Sequence, residues 1–249
     1  MKAFKAASVV VQAMAGLAVV TDHIYDDIDI ERKRIEAAGG EIESIDASRT
    51  EDVIDRGSGA VALLTTHVPI TRAVFEELTD LEVVVRYGTG YDNVDIQAAT
   101  DHGVPVVNVP QYGGEEVATH ALALILACDR RLPQYDRHVR AGNWDWEYRA
   151  EHTRLTEKTL GIVGFGRIGR LLAEMVSGLD LDVIVADPYV EAAEIRQYEA
   201  EKTSFETLID RADILSIHTL LTEETRHMFD AETFAAMKSS AVLVNVARG

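Results

Sequence analysis

One glycine-rich segment has the residue types and the spacing that can hold a phosphate group. Gly164, Gly166 and Gly169 form a G-x-G-x-x-G pattern between the apolar run LGIV and the amphipathic segment RIGRLLAEMV. The first glycine permits a tight strand-to-helix turn, the second lets the backbone approach a diphosphate, and the third lets the helix pack on the strand. Free N–H groups at the start of such a helix attract an anion. The pattern therefore predicts a turn that binds the diphosphate of a dinucleotide.

An acidic residue at the end of the next apolar run indicates which dinucleotide is bound. Asp187 closes the run VIVAD. A carboxylate there accepts hydrogen bonds from the adenosine ribose and repels a 2′-phosphate, so the pattern favours NAD over NADP. Two alternatives are a structural glycine turn with a solvated aspartate and a methyltransferase that binds S-adenosylmethionine. The latter cofactor lacks the diphosphate that the full glycine spacing would serve.

The elements that must position these residues form a regular alternation of short apolar runs and helical patterns. Strands are expected in LAVVTD, EIESID, AVALLTT, LEVVVR, PVVNVP, LGIVGF, DVIVAD, DILSIH and AVLVNVARG, with a long helix from about Glu115 to Arg130. Such alternation is typical of parallel sheets covered by helices. We predict an α/β protein with two doubly wound parallel-sheet domains: a flavodoxin-like domain over residues 1–114 and a Rossmann domain over residues 115–249.

Both ends of the chain carry an expectation of their own. The first sixteen residues imitate a secretory signal only weakly, and a disordered or mis-started extension is expected there. AVLVNVARG runs into the last residue with no helix behind it, so the Rossmann domain is expected to be incomplete.

Composition narrows the class of partner. Apolar residues make up 47% of the 249 residues, with 42 acidic and 24 basic residues and a formal net charge of -18. So acidic a surface disfavours nucleic acids and anionic membranes, and its few lysines suggest a high-salt cytoplasm. The single cysteine, Cys128, is expected to be a small buried hydrophobe in a reducing, cytoplasmic setting.

Five segments in order resemble the D-isomer-specific 2-hydroxyacid dehydrogenases. They are RYGTGYDNVDIQAATDHGVPVVNVP, LGIVGFGRIGR, VIVADPY, ADILSIHTLLTEETRHM and MKSSAVLVNVARG, and the likeness runs from about Leu17 to the last residue. EEVATHALALILACDRR and AGNWDW are most similar to the branch with phosphoglycerate dehydrogenase-like and C-terminal-binding-protein-like members. The resemblance implies hydride transfer between NAD and C2 of a D-2-hydroxy or 2-keto acid, with residues 1–114 as the substrate domain.

The resemblance also implies residue roles. Arg248 would hold the substrate carboxylate and polarise the C2 oxygen, a role that suits a planar and permanently charged guanidinium. The backbone amides of Thr89 and Gly90 would meet the same carboxylate. The implied cofactor-binding residues are Thr89, Gly164, Gly166, Arg167, Ile168, Gly169, Asp187, Thr219, Val246, Ala247 and Arg248. A homodimer is implied as well, with Trp144 and Trp146 either in its interface or in the core.

The chain departs from the family pattern at several positions. Leu220 replaces a usual proline, and Lys238-Ser239-Ser240 replaces Lys-x-Gly. The family's acid–base histidine and its glutamate partner lie beyond the N-x-A-R-G motif, so the 249-residue chain is expected to bind NAD weakly or not at all and to turn over very slowly.

No histidine of the chain takes the acid–base role on sequence grounds. His218 is expected at the cofactor edge, and His120 is expected to be a core histidine with its hydrogen bonds satisfied, within an apolar helix. No histidine shows metal-ligand spacing. The rival interpretations are an NAD-sensing scaffold similar to a corepressor and an inactive fragment of such an enzyme.

Overall fold

The computed structural model describes residues 16–145, 147–148 and 154–248. The chain divides between Tyr112 and Gly113 into two compact units, whereas the sequence prediction places the domain boundary after residue 114. The expected N-terminal extension lies outside the described residues, except for Gly16.

The first unit is built on a five-stranded parallel sheet. Its strands are β1 (Leu17–Val20), β2 (Glu41–Ser44), β3 (Ala60–Thr65), β4 (Val83–Arg86) and β5 (Val106–Val107), in the spatial order β2-β1-β3-β4-β5. This is the order of flavodoxin-like sheets, so the predicted fold of this unit is confirmed. Loops at the carboxyl ends of these strands are where such sheets bind ligands.

Four helices connect these strands: α1 (Asp29–Ala37), α2 (Thr50–Arg56), α3 (Arg72–Glu77) and α4 (Ile96–Asp101). The sequence patterns do not predict α2, because only one residue of TEDVIDR, Val53, is buried and no apolar stripe is visible.

The second unit also contains a five-stranded parallel sheet. Its strands are β6 (Thr159–Val163), β7 (Asp182–Ala186), β8 (Ala200–Lys202), β9 (Ile214–Ile217) and β10 (Val242–Asn245), in the order β10-β9-β6-β7-β8. Counted from β6, this is the doubly wound Rossmann order, which confirms the predicted fold. The edge strand β8 was outside the predicted set because its charged sequence, AEK, has no apolar run.

The order of strands places a crevice at one end of this sheet. The chain proceeds outward from β6 through β7 to β8, and then returns to the other side of β6 as β9 and β10. The crevice therefore lies outside the carboxyl ends of β6 and β9, where the direction of winding reverses.

The helices of this unit are α5 (Gly114–Asp129), α6 (Leu132–Arg140), α7 (Arg167–Val176), α8 (Ala192–Ile195), α9 (Phe205–Arg211) and α10 (Ala231–Ala236). The long helix α5 begins and ends one residue before its predicted bounds. Two expectations about α5 are wrong. Its buried face consists of Gly114, Ala118, Ala121, Ile125 and Asp129, so His120 is exposed and Cys128 is only half-buried.

Both faces of the second sheet are packed. Ile162, Leu160 and Leu172 belong to a fully buried cluster on one face, while Leu208 and Leu215 belong to a cluster on the other. Burial of each such side chain is worth about 1.5–3 kcal/mol, so the strands are held rigidly and their carboxyl-end loops start from fixed points. Among the described residues, no helix combines the length and apolar content that crossing a bilayer requires.

Candidate functional site

The glycine turn after β6 cannot accommodate larger residues at two of its positions. Gly164 has φ +89°, and a Cβ atom there would lie 2.9 Å from the amide nitrogen of Thr219, at the end of β9. A Cβ atom on Gly169 would overlap the carbonyl oxygen of Gly164, which belongs to the backbone and cannot move away cheaply. The first and third glycines therefore bring the turn, the helix and β9 into close contact.

The helix that follows this turn begins without a side-chain cap. Gly166 is the N-cap residue of α7, is exposed, and has open space where a side chain would project. The first N–H groups of a helix have no partner within the helix, and they carry partial positive charge. Arg167 is exposed, and its guanidinium carbon lies 3.1 Å from the position a Cβ atom on Gly114 would take. The arrangement can receive a diphosphate.

Asp187, at the end of β7, is tied directly to the glycine turn. Its Oδ2 accepts a hydrogen bond from the backbone N–H of Phe165 at 2.7 Å. Its Oδ1 accepts from the backbone N–H groups of Tyr189 at 2.8 Å and Val190 at 3.2 Å. A carboxylate has about four lone-pair sites, so capacity remains for the hydroxyl groups of a sugar. The link to Phe165 has no sequence signal, because it depends on where two loops meet.

His218 and Thr219 close the other side of the turn, at the end of β9. Nε2 of His218 lies 2.9 Å from the hydroxyl oxygen of Ser216, and Nδ1 is buried with no hydrogen-bond partner among the described residues. Burial lowers the pKa of His218 to about 4, so the imidazole is neutral near pH 7. The place of this ring at the edge of the cofactor stays a prediction.

The residues after β10 are held by an asparagine that the sequence prediction overlooked. The side chain of Asn245 accepts a hydrogen bond from the N–H of Ala247 at 2.9 Å and donates to the carbonyl oxygen of Arg248 at 2.8 Å. Val246 packs against the buried cluster beneath the sheet. The signal was present as the first letter of N-x-A-R-G, because asparagine side chains commonly brace the backbone two residues on.

The loop after β4, in the first unit, contains the predicted substrate-binding residues Thr89 and Gly90. The hydroxyl of Thr89 donates to the carbonyl oxygen of Val109 at 3.2 Å, and Nδ2 of Asn108 donates to the carbonyl oxygen of Thr89 at 2.7 Å. Neither of these two hydrogen bonds involves the backbone N–H of Thr89 or Gly90.

Arg86, which lies beside this loop, is a further residue that the sequence prediction missed. Arg86 is the last residue of β4, is only 9% exposed, and donates from Nη1 to the carbonyl oxygen of Tyr87 at 3.1 Å. Its Nε has no hydrogen-bond partner, and no ion pair joins it to a carboxylate within the described residues. A Cβ atom on Gly88 would overlap its guanidinium. A buried cation without a counter-ion favours a bound anion.

Most of the predicted residues thus lie at one edge of one sheet. The carboxyl ends of β6, β7, β9 and β10 contribute this set: Gly164, Gly166, Arg167, Ile168, Gly169, Asp187, Thr219, Val246, Ala247 and Arg248. Thr89 and Gly90 belong to the other unit, and their place relative to this set stays a prediction. Across the described ranges, no group of three or more His, Cys, Asp or Glu side chains could hold a metal ion.

Known proteins are similar to this chain in sequence and in fold. The family model described as "D-isomer specific 2-hydroxyacid dehydrogenase, NAD binding domain" matches residues 122–249. D-3-phosphoglycerate dehydrogenase 2, chloroplastic, of Arabidopsis thaliana is 42% identical over 183 residues, which are 72% of this chain and 29% of that protein. D-3-phosphoglycerate dehydrogenase of Methanocaldococcus jannaschii is 35% identical over 234 residues, which are 93% of this chain and 44% of that protein.

The chain therefore spans less than half the length of these two curated relatives. A solved structure, D-lactate dehydrogenase from Aquifex aeolicus complexed with NAD and lactic acid, has the same fold with a TM-score of 0.86. It is 24% identical, and the alignment covers 93% of this chain and 69% of that one.

Proposed function

Since the chain belongs to the D-isomer specific 2-hydroxyacid dehydrogenases, we propose that the protein transfers a hydride between NAD and C2 of a D-2-hydroxy or 2-keto acid. The observation that carries this proposal is the joined geometry of the glycine turn and Asp187. The N–H of Phe165, inside the turn, donates to the Asp187 carboxylate at 2.7 Å. One backbone segment thereby fixes both the diphosphate position and the ribose acceptor.

The uncapped first turn of α7 would hold the diphosphate, and Asp187 would accept from the adenosine ribose. Thr219, Val246 and Ala247 would line the nicotinamide side. When bound, the cofactor supplies or accepts the hydride. The described residues fit such a group, because the backbone N–H groups of α7 face an open space beside Gly166 that a side chain would otherwise occupy.

Arginine side chains account for recognition of the acid. Arg248 would bind the carboxylate and polarise the C2 oxygen, and the Asn245 brace would keep its backbone in place. The amides of Thr89 and Gly90 would meet the carboxylate from the first unit. Arg86 adds a desolvated positive charge beneath that loop, which supports an anionic substrate over a neutral one.

Titration of the purified, folded protein with NADH tests the cofactor part of this proposal. We expect energy transfer from tryptophan to the bound dihydronicotinamide and a higher melting temperature, because a ligand that binds only the folded state stabilises it. Absence of both responses to saturating NADH in a full-length protein that is demonstrably folded would refute the proposal. Oxidation of NADH by hydroxypyruvate, glyoxylate or phosphohydroxypyruvate then identifies the acid.

We also propose that the protein is a cytoplasmic homodimer. Trp144 is 92% exposed, and α6 buries none of its residues and leaves Leu132 and Val139 exposed. Core packing therefore does not account for Trp144, while Trp146 lies outside the described residues. Exposed aromatic and aliphatic side chains in one region favour a protein partner. Sedimentation velocity should give a dimer that Trp144→Ser weakens, and a wild-type monomer would refute this assignment.

A further inference from the structure

A hydrogen bond joins two loops of the second unit above the end of β6. Tyr189 lies in the turn after β7, and its hydroxyl donates to Oε2 of Glu224 at 3.1 Å. Glu224 lies in the segment between β9 and α10. Tyr189 is 80% exposed, so its ring is not held by burial in the core. The bond to Glu224 therefore contributes to where this side chain points.

The strands that carry these loops lie on either side of β6. In the sheet order, β7 is one neighbour of β6 and β9 is the other. A contact between the segments that follow β7 and β9 therefore passes over the carboxyl end of β6, where the Gly164–Gly169 turn begins. Asp187 marks the ribose side of this edge. The bridge thus borders the place where the adenosine ribose of a dinucleotide would lie.

Two carboxylates approach Tyr189 from different directions. Asp187 Oδ1 accepts from its backbone N–H at 2.8 Å, and Glu224 accepts from its hydroxyl. The hydrogen bond that the Tyr189 hydroxyl donates to Glu224 is the main reason that the pKa of Tyr189 is raised, followed by the charge of Glu224; the charge of Asp187 contributes less. Both negative charges therefore act on Tyr189.

One cation also contacts this turn. Nζ of Lys202, on β8, donates to the carbonyl oxygen of Val190 at 2.7 Å. The positive charge of Lys202 would attract a phosphate, whereas the carboxylates of Asp187 and Glu224 would both repel it. The Asp187 carboxylate already accepts hydrogen bonds from backbone N–H groups, whereas the Glu224 carboxylate is exposed to solvent. Among Asp187, Glu224 and Lys202, the balance of charge is therefore negative.

We propose that Glu224, positioned by Tyr189, is a specificity-determining residue that disfavours a 2′-phosphate on the adenosine ribose and so selects NAD over NADP. This inference rests on the proposed dinucleotide site. A 2′-phosphate is close to doubly charged at neutral pH, so each carboxylate within several ångströms repels it while leaving a 2′-hydroxyl almost unaffected. Because Glu224 is exposed, solvent screens the repulsion and its effect is smaller than that of Asp187.

The test measures the ratio of the dissociation constants for NADPH and NADH, by tryptophan energy transfer at low salt. Glu224→Gln should lower this ratio about 5- to 10-fold and change the NADH constant less than about 2-fold. Tyr189→Phe should lower the ratio about 2-fold, because the Glu224 carboxylate remains but is no longer positioned by the hydrogen bond from Tyr189. Adding Tyr189→Phe to Glu224→Gln should have little further effect on the ratio, because the two residues act through one contact.

Glu223→Gln is the matched control. It removes the same charge from the neighbouring position, where the carboxylate lies 3.5 Å from Nε of Arg226. This variant should leave the ratio within about 2-fold of the wild type. A second measurement needs no cofactor. In an ultraviolet titration of the tyrosines, Glu224→Gln should lower the pKa of Tyr189, and Tyr189→Phe identifies this tyrosine because its signal is then missing.

The outcomes separate this inference from the function on which it rests. If Asp187→Asn lowers the ratio while Glu224→Gln does not, Glu224 has no role in selection, although the dinucleotide site stands. An equal effect of Glu223→Gln and Glu224→Gln would also overturn the inference, because net charge alone would explain it. If the folded wild type binds neither NADH nor NADPH, both proposals fail together.

Discussion

In each unit a glycine loop follows an interior strand of the parallel sheet, but the two loops are suited to an anion in different ways. In the second unit, the Gly164–Gly169 turn leads into an uncapped helix, so partial charges on backbone N–H groups face the open space. In the first unit, the Gly88–Gly90 loop lies against the full charge of Arg86. Backbone dipoles suit a diphosphate that must slide into a crevice, while a buried guanidinium suits a small carboxylate.

The glycines differ for the same reason. Gly164 and Gly169 are required because backbone atoms of neighbouring segments occupy the space of their side chains. Gly88 is favoured because its φ of +146° is a conformation that L side chains rarely adopt, and the Arg86 guanidinium lies where a side chain would project. The buried side chain beside each loop differs too: His218 is kept neutral by burial, whereas a guanidinium stays charged wherever it is. Two loops that share a Gly-x-Gly segment can therefore lie beside groups of different charge.

The largest expected effect comes from filling the backbone contact in the second unit. Gly169→Val should lower the free energy of unfolding by about 4 kcal/mol or more and abolish NADH binding, because the new atoms meet the carbonyl of Gly164. Urea denaturation and NADH titration measure the two effects. Gly178→Ala is the control, since no atom lies within 4 Å of its added methyl group. Equal losses in both variants would contradict the packing argument.

The second effect concerns the neutral ring beside the turn. The folded state protonates His218 only near pH 4, whereas an unfolded histidine does so near 6.5. Between these values the unfolded state binds more protons, so stability falls as the pH drops from 6.5 towards 4, by up to about 3 kcal/mol. Chemical denaturation at several pH values, compared with His218→Gln, isolates this part from the carboxylates. Parallel stability curves for the two proteins would show that the pKa of His218 is the same in the folded and unfolded states.

These two tests address the unit that the sequence describes best. G-x-G-x-x-G, Asp187 and the flanking apolar runs are local patterns, so the fold and the turn could be predicted from them. Asp187 was placed by strand periodicity, but its bond to Phe165 depends on two loops that meet in space. Arg86 could not be identified, because its burial and the lack of a counter-ion among the described residues are visible only once β4 is packed.

The third effect tests the charged loop of the first unit. Arg86→Met should raise the KM for the keto acid about 100-fold, which is about 2.7 kcal/mol, while the free energy of unfolding stays equal or rises. Stability should not suffer because the substitution removes a buried charge that no carboxylate balances among the described residues. Steady-state kinetics and urea denaturation together decide the matter. A variant with unchanged KM and several kcal/mol less stability would make Arg86 a purely structural residue.

The smallest effect concerns two asparagines, one in each unit, whose side chains form hydrogen bonds with the backbone of predicted site residues. Asn245 makes two hydrogen bonds to the Ala247–Arg248 backbone, whereas Asn108 makes one, to the carbonyl oxygen of Thr89. Each exposed bond contributes about 0.5–1.5 kcal/mol, so Asn245→Ala should lower kcat/KM about 10-fold and Asn108→Ala about 3-fold. Asn245→Asp separates the two bonds of the larger brace, since it keeps the acceptor for Ala247 and loses the donor to Arg248. It should fall between the wild type and Asn245→Ala; if instead it matches Asn245→Ala, the bond to Arg248 carries the whole effect and the N–H of Ala247 none.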